Sequence, residues 1–413
     1  MIKRSILPDL ISHLQEKEIT MLIGPRQSGK TTLLGLLKEH IIKNGETVIY
    51  LNLDSELDAS YFDSQLSLIN YLKLHFGSSK GYVLIDEIQR KENAGVFLKG
   101  IYDLHPEFKL IVSGSGSMEL KEKISESLAG RKQVFEISTL DFLEFLNYKT
   151  DYAYENKIKD YIEGDPLKAQ AYFHEYLNFG GYPRVVLTQN LDGKIRALEE
   201  IFQSYLLKDI TDLLGINKPD KFSLLVRYLA NQVGNILNYN QISNILDMDQ
   251  ETTKRYVWYL EQTYILDSIT PFYKNRNQEL VKSPVVYFHD LGMRNFATGD
   301  IGRVEFSSSA GFVFENFIYF LLKKKTPFSF AKVKYWRTKA GAEVDFIIDS
   351  GIDRQVPYEV KYRNLERESI GKSLISYVKK YSPKEAYIVG LRGEKSQRIG
   401  DTEVSFIPWS HLV

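Results

Sequence analysis

An α/β fold is predicted at both ends of this 413-residue chain, with helical modules between them. Three observations lead there. Short β-branched apolar runs alternate with helical spacing through the first third, as a parallel sheet with crossover helices requires. One of those runs, Thr20-Met21-Leu22-Ile23, leads into Gly24-Pro25-Arg26-Gln27-Ser28-Gly29-Lys30-Thr31-Thr32, and helical spacing begins at about Lys30. In the last third, an alternating strand through Asp345 and a second through Glu359 precede a helix and a further apolar strand.

Composition narrows the classes. An apolar fraction of 43% supplies real cores, and the length suits two to four domains. The expected domains are 1–150, 151–215, 216–285 and 286–413. The 53 basic and 53 acidic residues balance, so any surface for nucleic acid must be local. Without cysteine there is no disulfide framework, thiolate metal site or cysteine nucleophile. Met1–Lys17 lacks the apolar core of a signal peptide, and no run reaches the ~18 apolar residues of a membrane span. A cytoplasmic protein without a membrane partner is expected.

The elements follow in order. Leu7–Leu14 has the spacing of a short amphipathic helix. The stretch from Gly24 to Thr32 is the P-loop pattern in its proper place, with a strand before it and a helix after. Its glycines let backbone N–H groups turn toward phosphate oxygens, and the helix N-terminus faces the same anion. Gly24, Pro25, Arg26, Gln27, Ser28, Gly29, Lys30, Thr31 and Thr32 are therefore the expected ATP contacts. Lys30 reaches the β- and γ-phosphates, and the Thr31 hydroxyl completes a Mg²⁺ shell. After a turn at Lys43–Glu46, Thr47–Leu53 is a buried strand and Gln65–His75 a helix. Gly81–Glu87 is a strand of apolar residues ending in Asp86-Glu87, the Walker B pattern. Asp86 is expected to orient Mg²⁺ through water, and Glu87 to align the water that attacks the γ-phosphate. A helix over Ala94–Leu104 precedes the strand Lys109–Ser115. Ser113 is the first choice for a γ-phosphate contact and Ser115 the second, the alternative being a plain Ser-Gly turn. A helix through Glu119–Leu128 and a fifth strand, Gln133–Ile137, complete the unit.

These motifs, together with Asp86-Glu87-Ile88-Gln89, Ser113-Gly114-Ser115, Ser127-Leu128-Ala129-Gly130-Arg131 and Gly180-Gly181-Tyr182-Pro183, resemble one AAA-type ATPase family. Its members carry a C-terminal domain long labelled as of unknown function. The resemblance implies a parallel sheet in the order 5-1-4-3-2. It also implies that Arg131 completes the ATP site of a neighbouring subunit, hence a homo-oligomer. The alternative for Arg131 is a surface residue pairing with Glu136.

The middle is helical from Tyr152 to about Asp212, broken at Gly164-Asp165-Pro166. Gly180-Gly181 is read as a turn that seats this lid on the ATPase unit. Phe222–Val233, Tyr239–Leu246 and Gln250–Glu261 have a winged-helix-like rhythm, followed by strands Ile265–Pro271 and Val285–His289. Thr252, Thr253, Lys254, Arg255 and Tyr256 sit where a recognition helix meets DNA. Asp247, Asp249, Glu251 and Glu261 crowd the same region, so a protein-docking module is the alternative.

Beyond it, the apolar helix Phe312–Phe320 carries Glu315. Lys323, Lys324, Lys325, Lys332, Lys334, Arg337 and Lys339 follow with no acid between them, Tyr335 and Trp336 interleaved. Next come Asp345 in one strand, Glu359 and Lys361 in another, the helix Ser369–Tyr381 and a last buried strand, Ala386–Val389. An acid on a helix, an Asp on one strand and Glu-x-Lys on the next is similar to the PD-(D/E)xK restriction-endonuclease-like core. That resemblance implies that Asp345 and Glu359 share a divalent metal, Mg²⁺ or Mn²⁺. Glu315 would join them from the helix, with Lys361 beside the scissile phosphate. The polar loop Asp349–Pro357 would hold the site open, and the basic run would guide DNA. Two functions are expected as alternatives. One is a Mg²⁺-dependent ATPase coupled to nucleic-acid processing. The other is an ATP-gated regulatory or binding module with a catalytically silent nuclease-like domain.

Overall fold

The computed structural model describes the chain except for residues 78, 106, 116–126, 205–215, 217, 274–282, 327–330 and 352–353. The expected helix at Glu119–Leu128 therefore lies almost wholly outside the described residues. The same is true of the end of the Tyr152–Asp212 stretch.

Strands β1 (Ile19–Gly24), β2 (Val48–Asn52), β3 (Gly81–Asp86), β4 (Phe108–Ser115) and β5 (Lys132–Glu136) form one parallel sheet in the order β2-β3-β4-β1-β5. This is the expected order read from the other edge. Strand alternation sorts the side chains onto two faces. Leu22, Leu84 and Ile111 pack under helix Lys30–Lys43, with its Leu33, Leu34 and Leu37. Met21, Ile23, Val83, Ile85, Leu110 and Val112 face helices Gln65–Phe76 and Ala94–Leu104. Because all five strands run the same way, β1, β3 and β4 deliver their C-terminal residues to one edge, where ligands bind in such sheets.

The middle of the chain comprises helices Ile158–Gly164, Pro166–Phe179, Pro183–Leu187, Leu191–Ile201, Pro219–Asn231, Tyr239–Leu246 and Gln250–Gln262. An antiparallel pair follows, β6 (Leu266–Ile269) with β7 (Val285–Phe288), and Ile236 bridges to Val285. On helix Gln250–Gln262, Thr253 and Tyr256 are buried and point inward, while Lys254 and Arg255 are exposed. Two of the five residues expected to face DNA therefore belong to the core.

The C-terminal sheet has six strands in the order β12-β13-β11-β10-β9-β8. They are β8 (Lys332–Arg337), β9 (Glu343–Asp349), β10 (Gln355–Val360), β11 (Glu385–Gly390), β12 (Lys395–Ile399) and β13 (Thr402–Pro408). Helix Ala310–Lys324 covers one face through the largest core, and helix Lys372–Tyr381 covers the other. β11 is thus not the last strand. β12 reads Lys-Ser-Gln-Arg-Ile, a mostly polar edge strand without the apolar signal of a buried one. β10 begins at Gln355, which pairs with Asp349, so the link between β9 and β10 is shorter than the expected loop. It also lies at the far end of the hairpin from Glu359, so it does not hold that residue's surroundings open.

Four of the seven cations of the basic run meet acids in space, while Lys325, Lys332 and Lys339 stay exposed. Lys323 pairs with Asp267, Lys324 with Asp141 at 2.6 Å, Lys334 with Asp349 at 3.1 Å and Arg337 with Glu343 at 3.3 Å. Tyr335 and Trp336 are buried and offer no stacking surface. No described helix is long and apolar enough to cross a membrane.

Candidate functional site

The loop after β1 is shaped by two glycines with different duties. Gly24 is needed for close approach: a Cβ there would lie 2.0 Å from the carbonyl oxygen of Ile137. Gly29 has φ 97° and Gln27 φ 59°, so the left-handed turn falls at these two residues, immediately before helix Lys30–Lys43. Lys30 is buried and donates to the carbonyls of Gly24 (3.0 Å) and Pro25 (2.7 Å). Burial brings its ammonium down to about 8, against the upward pull of Glu87 and Asp86. That is the behaviour of a cation enclosed without a full counter-charge.

Asp86, at the end of β3, is 1% exposed and is the hub of the site. It accepts from Thr31 Oγ1 (2.8 Å), Tyr50 Oη (2.9 Å), the Glu87 N–H (3.1 Å) and the Ser113 hydroxyl. Glu87 has φ 58°, a strained conformation that turns its side chain out of the strand line. Its carboxylate accepts from the Gln89 amide, and Gln89 Oε1 accepts from the Ser115 N–H (3.1 Å). The structure therefore gathers Lys30, Thr31, Asp86, Glu87 and Ser113 around the loop. Ser113 gives its hydroxyl to Asp86, and Ser115 meets Gln89 through its backbone. Oxygen donors in this arrangement suit a hard cation such as Mg²⁺.

Arg131 lies elsewhere. It precedes β5, whose start pairs with Ile19 at the opposite end of β1 from Gly24. There it forms a two-pronged pair with Asp103 (2.7 and 3.2 Å), not with Glu136. It contributes nothing to the site of its own chain.

Three residues that sequence reasoning passed over complete the surroundings. Tyr50 sits on β2 one strand away from Asp86, and burial and that carboxylate push its phenol well up. Arg4 holds the Ser28 carbonyl from behind the loop at 2.7 Å. Asp290 is buried beneath Gly180-Gly181. It accepts the N–H groups of Gly181 (2.8 Å) and Met293 (3.0 Å), with Gly292 and Thr139 also bonded to it. Burial raises it to about 6 against those bonds. Gly180 has φ 68°, whereas Gly181 is needed because a Cβ would meet the Leu140 carbonyl at 2.0 Å. Asp290 carries the local signal of a helix N-cap through Met293, but its bond to Gly181 and all the partners of Arg4 lie far along the chain.

The acids singled out at the C-terminal sheet lie near enough to feel one another's charge. Asp345 Oδ2 accepts the Val360 N–H at 2.7 Å, and Glu359 pairs with Lys361 at 2.8 Å. Tyr287 Oη donates to Glu315 at 2.7 Å. Burial pushes Asp345 to about 7, and burial with Asp345 beside it pushes Glu315 well up. Burial pulls Lys361 down, but the Glu359 hydrogen bond and both carboxylates outweigh it and lift the ammonium above its usual range. One oxygen of Glu359 is buried without a hydrogen-bond partner. Among the described residues, no group of three or more acids or histidines is close enough to hold a metal ion.

Family models match three segments. Residues 16–146 match an AAA domain, 170–302 a Domain of unknown function (DUF8612) and 310–412 a Domain of unknown function (DUF4143). The chain is 27% identical over 369 residues to an uncharacterized protein of Methanocaldococcus jannaschii, covering 87% of this chain and 79% of that one. It is 27% identical over 317 residues to an uncharacterized protein of Haemophilus influenzae, covering 73% and 74%. Among solved structures, AMPPCP-bound DnaA from Aquifex aeolicus aligns with a TM-score of 0.28 and 18% identity, covering 63% of this chain and 89% of that chain. The chain thus joins an AAA-type P-loop domain at residues 16–146 to a C-terminal segment matched by a family of unknown function.

Proposed function

We propose that the protein is a Mg²⁺-dependent ATPase. The observation that carries the reading is the meeting of Thr31 and Asp86 at 2.8 Å beside the Lys30 loop, with Glu87 next in line. Lys30 neutralises the β- and γ-phosphates from within the loop, and the N–H groups of the loop bind phosphate oxygens. Thr31 and Asp86 would hold Mg²⁺, which supplies charge neutralisation along the phosphate chain. Glu87, steadied by Gln89, orients the attacking water. Tyr50 and Ser113 keep Asp86 aimed through their hydroxyl hydrogen bonds. Glu87→Gln should retain ATP binding and lose hydrolysis by roughly a hundredfold or more. Phosphate release at the wild-type rate from Glu87→Gln protein would remove that role from Glu87.

The output has a second reading, favoured by the unpartnered Glu359 oxygen and the excess of acids over Lys361. In it, Asp345 and Glu359 take up Mg²⁺ or Mn²⁺ after modest side-chain movement, and the C-terminal domain processes DNA. The order helix, β8, β9, β10, helix, β11 supports a nuclease-like core, and exposed Lys254 and Arg255 on a winged-helix-like module supply a DNA contact. Mn²⁺ should then raise the melting temperature of Lys30→Ala protein, and Asp345→Ala should abolish the rise. If no rise appears and DNA stays intact, the ATP-gated module with a silent C-terminal domain is the better account.

A further inference from the structure

A phosphate loop has two sides. Its N–H groups serve the nucleotide, so its carbonyls need partners of their own. Lys30 takes two of them, from Gly24 and Pro25. The Ser28 carbonyl is taken by Arg4 Nη1 at 2.7 Å. The same guanidinium gives Nη2 to the Ser138 carbonyl (2.8 Å) and Nε to both oxygens of Glu144 (3.1 and 3.2 Å). Arg4 and Glu144 are 9% and 6% exposed, so these bonds are made away from water. Glu144 also accepts the Ser5 N–H and hydroxyl (2.6 and 2.9 Å) and the Asp141 N–H (3.2 Å) as part of a capping box.

A buried ion pair of this kind adds little stability by itself, because desolvation offsets the attraction. What it provides is direction. A planar guanidinium with donors on three sides fixes three partners relative to one another, which an ammonium cannot do. Gly29 packs against it: a Cβ at Gly29 would lie 3.6 Å from Arg4 Nη1.

We infer that Arg4 is a positioning residue for phosphate binding, holding the Ser28 carbonyl outward so that the loop N–H groups stay turned toward the nucleotide. Through Glu144, the loop's shape also depends on the seating of helix Phe142–Lys149. The inference rests on the ATP-binding reading. It goes beyond that reading by giving a role to a residue outside the loop that never touches nucleotide.

The test titrates a non-hydrolysable ATP analogue with Mg²⁺ into wild type, Arg4→Ala, Arg4→Lys, Lys30→Ala and the Arg4→Ala/Lys30→Ala double variant. Arg4→Ala should weaken binding by about tenfold or more, tenfold being the low end of what one charge-assisted hydrogen bond is worth. Arg4→Lys should recover little of that loss, because it restores charge without the fork. In turnover, KM should rise with kcat changed less, since Glu87 stands on a different strand. The double variant should bind no more weakly than Lys30→Ala, because both act on one loop. Affinity within twofold of wild type for both Arg4 variants, or losses that simply add, would overturn the inference. If Arg4→Ala does not fold, Arg4→Lys alone decides. A wild type that binds no nucleotide would instead sink the ATP reading itself.

Discussion

Nucleotide affinity should fall with pH at an unusually low threshold. Burial holds the Lys30 ammonium at about 8 in the nucleotide-free protein. A bound phosphate chain raises that value, so binding takes up a proton wherever the free protein has lost one. The sign is fixed by this linkage: affinity is constant below the free value and weakens above it. At about pH 7 roughly nine-tenths of Lys30 is charged, whereas at about pH 9 roughly one-tenth is. The expected loss between them is close to tenfold, or about 1.4 kcal/mol, and it deepens until the bound-state value is reached. The phosphate itself loses its last proton near about pH 6, so it stays constant over this range. Lys109 is also brought to about 8, but it bonds the Glu16 carbonyl at the other end of the sheet and cannot reach nucleotide. Calorimetric titration of a non-hydrolysable analogue at several pH values measures the effect, with Lys30→Met as control. The control should bind weakly and evenly across the range. A flat wild-type profile, or an equally steep one in Lys30→Met, would refute the reasoning.

Two further outcomes are expected. Asp290→Ala strips the acceptor from the Gly181 and Met293 N–H groups and should cost about 1–3 kcal/mol per stranded donor in thermal or denaturant unfolding; Asp290→Asn, which keeps an acceptor oxygen, should cost less. If Arg131 serves a neighbouring copy, ATPase activity per chain should rise with concentration, and mixing Arg131→Ala with Lys30→Ala protein should restore part of it. Concentration-independent turnover by a monomer in light scattering would leave Arg131 to its Asp103 pair.

The parallel sheet and the gathering of Lys30, Thr31, Asp86 and Glu87 at its edge were legible in the sequence because their residues are local. A strand, a glycine turn and a helix start fall within about fifteen consecutive positions, and the helix Ala94–Leu104 stands about where it was expected. Asp86-Glu87 is equally local, since a buried strand can only deliver its last residues to the sheet edge. What escaped was long-range. The basic run looked unpaired because Asp267 and Asp141, which neutralise Lys323 and Lys324, stand 56 and 183 positions away. Arg4 meets Ser28, Ser138 and Glu144 across 24, 134 and 140 positions. Helical periodicity gave the existence of helix Gln250–Gln262 but not its rotation. Thr253 bonds Ser243 in the core, and that contact turns it away from solvent.

The rings at the start of helix Phe142–Lys149 set how the molecule must come apart. Phe142 lies edge-on to Phe173, Phe317 and Trp409, which belong to three widely separated stretches of the chain. Phe173 stacks flat on Trp409 with centroids 4.4 Å apart. Heat should therefore not peel the chain open from either end. Loosening the C-terminal turn at Trp409 unroofs Phe142, and the same helix carries Glu144, the partner of Arg4. A fragment stopping near residue 150 would present this aromatic face to water and should self-associate rather than stand as a tidy nucleotide-binding unit.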